Sequence, residues 1–208
     1  MLVACVAGWM IMELEILGAR VLAPYFGSAI YVVMGSVIGV FLLSMSGGYM
    51  LGGLLSAGCH SELALGFCLT GAGAWLCAMP LIIRPVCEGI WDAGFDDKWG
   101  SLIATLALFA VPTMLLGTVS PTAVRWLTRQ ASQSGRSAGL VLAVSTVASF
   151  AGCVVTAFCL VLLSVRRTIA VSGVVLLAVG GAVLIHVWLS ARRRRSAGPS
   201  EELNPRSP

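Results

Sequence analysis

Six long apolar runs, separated by short polar or Gly/Pro-containing breaks, set the pattern of this chain. They cover about Met1 to Leu22, Ser28 to Leu55, Leu63 to Ile83, Ser101 to Leu127, Ala138 to Val165 and Thr168 to Ser190. Each reaches or exceeds the ~20 residues that an α-helix needs to cross a bilayer. The pattern predicts an all-α fold: a polytopic integral membrane helix bundle of six transmembrane helices over residues 1–190, with seven or five spans as alternatives. Residues 191–208 are polar, end in Pro-rich sequence and read as a basic, disordered cytoplasmic tail.

Composition excludes a soluble domain. Of the 208 residues 58% are hydrophobic and 11% charged, against roughly 25% charged in a water-facing globule. The few charges fix an orientation. Arg125, Arg129 and Arg136 lie between the fourth and fifth runs, and Arg192, Arg193, Arg194 and Arg195 follow the sixth. Glu88, Asp92, Asp96 and Asp97 outnumber Arg84 and Lys98 between the third and fourth. The positive-inside rule then expects both termini and the Arg125–Arg136 loop on the cytoplasmic side of a bacterial inner (plasma) membrane. Arg166 and Arg167 fall on the outer side and break the rule. The basic tail beside an apolar span reads as a topology signal and a contact for the lipid bilayer, not as a nucleic-acid surface. Trp91, Trp99, Trp126 and Trp188, near the ends of runs, read as interfacial anchors.

Two carboxylates interrupt the first run. An ionisable group at the centre of a membrane helix costs ~2.5–3.5 kcal/mol on insertion scales, so Glu13 and Glu15 require partners, a wet cavity or protons. They lie about 200° apart around a helix and cannot face one partner. Arg20 shares a face with Glu13 but stands about 10 Å further along, near the outer boundary. Glu13, Glu15 and Arg20 form the candidate intramembrane polar site. Gly48, Gly52, Gly53, Pro112, Gly117 and Pro121 are candidate packing or hinge positions, because small residues let backbones approach and proline frees a carbonyl. Arg125, Arg129, Arg136 and Arg192 to Arg195 form a candidate cytoplasmic basic surface. The seven cysteines show no CxxC spacing, His60 and His186 read as incidental, and no Ser/His/Asp set or phosphate loop occurs. No cofactor, no metal and no complete enzyme is expected within this chain.

Two stretches carry a family resemblance. The first is Leu14-Glu15-Ile16 with Arg20 to Ser28 (RVLAPYFGS), followed by Gly48-Tyr49 and Gly52-Gly53. The second is Leu115-Leu116-Gly117, Ser120-Pro121, Gly135 to Gly139 (GRSAG) and Ser145-Thr146. In order and spacing, over roughly residues 9 to 185, they resemble the membrane half of bacterial fused proteins that join a transporter-like bundle to a spermidine-synthase-like domain. The resemblance implies a membrane module of six to seven helices that serves an aminopropyltransferase-like domain; the catalytic half is not in this sequence. Glu15 and Arg20 match the motif. The stretch after Gly53, Leu54 to Gly58, lacks the acidic and basic residues such bundles often carry there. Three functions follow: a non-catalytic module that anchors or supplies a separate synthase-like partner, a small transporter of a cation or polyamine acting as a homodimer at Glu13 and Glu15, or an inactive fragment.

Overall fold

The computed structural model describes residues 1–58, 61–128 and 134–196; Val33, Met34, Ser134, Val161 and residues 193–196 are described in backbone only. The elements are α1 (Leu2–Phe26), a π-helical segment (Tyr31–Ile38), α2 (Gly39–Ala57), α3 (Ser61–Asp92), α4 (Asp97–Gly117), α5 (Val119–Leu127), α6 (Ser134–Phe158), a single 3-10 turn (Leu160–Leu162) and α7 (Val165–Ser196). Among the described residues there is no strand, and six helical stretches are long and apolar enough to cross a membrane. Large apolar side chains such as Leu42, Phe67, Leu81 and Phe150 stand exposed around the bundle. A water-soluble monomer rarely leaves so much apolar surface uncovered. The chain is a multi-pass membrane protein.

Three helix pairs build the bundle: α3 with α7, α1 with α6, and α2 with α4. Small residues set each approach. A side chain at Gly73 would strike Gly173 and Leu177, one at Gly66 would strike Leu184, and one at Gly180 would strike Thr70. The descending order of these partners makes α3 and α7 antiparallel. Between α2 and α4, Gly48 lies against the backbone of Met114 and Gly117, and a Cβ at Gly52 would stand 2.6 Å from the Thr118 carbonyl oxygen. Gly53 faces open space instead, so it takes no part in this packing. Phe41 and Phe109 fill the centre with ring centroids 5.6 Å apart.

Several element ends differ from expectation, each for a local reason. α3 does not stop at Ile83; it runs through Pro80 and Pro85 to Asp92, and Arg84 and Glu88 pair at 3.3 Å across the turn that contains Pro85. α1 continues through Pro24 to Phe26 and ends where Gly27 adopts φ 77°. α7 continues through Ser196, and Arg192 stacks over Trp188 at 4.3 Å, so the first residues of the expected disordered tail are helical; 197–208 lie outside the described residues. α6 stops at Phe158 rather than Val165, and the following connection to α7 is apolar.

The fourth run is bent in a place other than Pro112. Pro112 sits inside continuous α4. Its missing N–H would have served the Leu108 carbonyl one turn back, and the Trp75 indole N–H donates to that carbonyl at 2.9 Å. The break falls at Gly117–Thr118, where Pro121 in the first turn of α5 leaves the Gly117 carbonyl without its helical donor. The Thr118 hydroxyl closes the corner by donating to the Leu115 carbonyl at 2.7 Å. Trp75 therefore satisfies the carbonyl that Pro112 leaves free. Trp75→Phe is expected to cost about 1–2 kcal/mol by leaving a buried carbonyl unpaired, which thermal unfolding in detergent measures. An unchanged midpoint would show that another donor satisfies Leu108.

Candidate functional site

The first run's two glutamates have opposite fates. Glu13 lies near the middle of α1 and is only 2% exposed. Trp9, one turn earlier, donates its indole N–H to Glu13 Oε2 at 2.9 Å. From α7, the Ser172 hydroxyl donates to Oε1 at 2.5 Å. The same hydroxyl lies 3.0 Å from the Thr168 carbonyl. A hydroxyl has one proton to give. It therefore serves Glu13 or Thr168 at any one moment, not both.

Glu13 forms part of the floor of a cleft of about 580 Å³ bounded by α1, α6, the α6–α7 connection and α7. Its walls are chiefly apolar, with Val6, Met10, Leu163, Val171 and Val175 among them. Thr168 and Ser172 on α7, and Ser164 just before it, bring hydroxyls at four-residue spacing, and Arg167 lines the same space. The cleft exists because α6 packs mainly on α1 and α7 mainly on α3, so the two helices splay. Irregular backbone at membrane depth is tolerated where it lines a cavity, and the Leu160–Ser164 connection does so.

The step in height is measurable from the helices themselves. α7 begins seven residues before Ser172, about 10 Å, whereas α1 continues thirteen residues past Glu13, about 20 Å. The α6–α7 connection thus lies below the end of α1, and the cleft opens beneath that step.

Glu15 is half-buried and makes no hydrogen bond or ion pair among the described residues, and it does not line this cleft. Arg20 is exposed, six residues short of Phe26, and likewise lacks an ion pair among the described residues. Arg125, Arg136 and Arg192 are exposed. Arg129 and the side chains of Arg193, Arg194 and Arg195 lie outside the described residues, as does His60. His186 shares a second cavity of about 560 Å³ with Glu62 and Trp126 near the α3 start. Among the described residues no three of His, Cys, Asp or Glu gather as metal ligands.

No family model, curated protein or solved structure matches this chain. The geometry of the cleft stands by itself.

Sequence singles out Glu13 by its cost but misses Trp9, Ser172 and Arg167. Ser172→Ala is expected to lower stability by about 1–2 kcal/mol, since it strips a buried carboxyl oxygen of its donor. Ser164→Ala, which removes no contact to Glu13, should stay within about 0.5 kcal/mol. Thermal unfolding of the two variants in the same detergent makes the comparison; equal midpoints would contradict the assigned role of Ser172.

Proposed function

We propose that this chain is a membrane transport module that holds the protonated amine of a small solute at Glu13 and carries it between the two faces of a bacterial inner membrane. The Glu13 carboxyl supports this reading. It is removed from solvent at mid-helix, oriented by Trp9 and Ser172, and forms part of a cleft's floor. Ionisable groups at such depth typically mark solute or proton paths. The cleft volume falls within the ~300–1,000 Å³ of small-molecule sites. An ammonium entering the cleft displaces the Ser172 hydroxyl, which turns back to Thr168.

The module does no chemistry on the solute. The resemblance to the membrane half of spermidine-synthase-like fused proteins favours a separate synthase-like partner. That partner would meet the cytoplasmic surface carrying the exposed Arg125, Arg136 and Arg192. Both termini are cytoplasmic in this proposal, by the weight of basic residues on that side.

Two experiments test it. In proteoliposomes given a panel of radiolabelled amines and amino acids, Glu13→Gln should lower saturable uptake tenfold or more, and Glu15→Gln should retain most of it. Full uptake by the Glu13 variant would overturn the role of the carboxyl. For topology, a green fluorescent protein fused at Pro208 should fluoresce in cells, and alkaline phosphatase at the same position should be inactive. The reverse pair of results would invert the orientation.

A further inference from the structure

The cleft that holds an acid also holds a base. Arg167 lines it from the first turn of α7, is exposed, and has no ion-pair partner among the described residues. Five residues separate Arg167 from Ser172, a rise of about 7.5 Å, and Ser172 touches the Glu13 carboxyl. Thr168 and Ser164 add hydroxyls to the same stretch of wall. A guanidinium so placed works against a simple polyamine, because like charges repel strongly where water is scarce. It also stands on the side of the membrane where the positive-inside rule disfavours it. Both features are accounted for by a ligand that brings its own anionic group.

We infer that the cleft takes a zwitterion with an apolar body, its ammonium on Glu13 and its carboxylate or phosphate on Arg167. This deepens the proposal that Glu13 is an amine site and rests on it. The planar fork of arginine matches carboxylate and phosphate oxygens in pairs. The first turn of α7 adds backbone N–H groups with no carbonyl partner inside the helix. The apolar walls, Val6, Met10, Leu163, Val171 and Val175, suit an aliphatic body. A free amino acid with an apolar side chain and an aminophospholipid share this chemistry.

The test uses the full chain in phosphatidylcholine nanodiscs with L-leucine, isoamylamine (leucine without its carboxylate) and N-acetylleucine (leucine without its ammonium). Leucine is expected to bind at least about tenfold more tightly than either analogue. Arg167→Gln should reduce leucine to the level of isoamylamine, and Glu13→Gln should abolish both. Phosphatidylethanolamine in the disc provides the second arm. If it displaces leucine, or is retained by the wild-type protein in native mass spectrometry and lost in Arg167→Gln, the zwitterion comes from the lipid. Isoamylamine binding as tightly as leucine, with no effect of Arg167→Gln, overturns the zwitterion and leaves the amine site at Glu13 standing. Binding of none of the probes, with no retained phosphatidylethanolamine, overturns both.

Discussion

Hydrocarbon offers no hydrogen bonds, so the polar atoms inside this bundle look for partners in the protein; among the described side chains, Thr113 Oγ1 and Thr156 Oγ1 are buried without one. That constraint ties the helices together. Glu13 recruits Ser172 and so links α1 to α7. The carbonyl freed by Pro112 recruits Trp75 and links α4 to α3. Ser149 donates to the Gly8 carbonyl at 3.0 Å, which links α6 to α1, and Ser36 meets Ser101 at 2.8 Å between the π-helical segment and α4. Small residues bring the backbones close, and these bonds then fix which helices meet.

Much of the fold is legible along the chain because a bilayer imposes a length on apolar runs. The number of spans follows from that, but their ends do not. Proline reads as a stop in water, whereas Pro24, Pro80 and Pro85 lie inside helices here. Arg84 and Glu88, placed in a loop by their charge, stabilise one helical turn to each other. Pro112 and Pro121 look alike in sequence, and only the fold shows that the carbonyl freed by the first is taken up by Trp75.

The candidate site is legible by half. The price of a carboxyl in hydrocarbon marks both Glu13 and Glu15, and the local motif favours Glu15. Glu13 is set apart by a partner 159 residues away, which no local pattern can supply. One trace of that partner is present nonetheless. Ser164, Thr168 and Ser172 recur every fourth residue, which brings three hydroxyls to one side of the start of α7. Trp9, four residues before Glu13, was within reach of the same reasoning. Arg167, which breaks the orientation rule in sequence, lines the same cleft in the fold.

The lower height of the α6–α7 connection has a consequence for the membrane around it. Lipid cannot leave a vacant shelf beside a protein, so its tails shorten or tilt where the apolar belt is short. Leu162 and Leu163 cap that shelf with exposed aliphatic surface, a surface suited to lipid tails. A bilayer that follows this step is thinner beside Glu13 than along α1. Bilayer thickness itself thereby becomes a control on how easily the cleft is wetted.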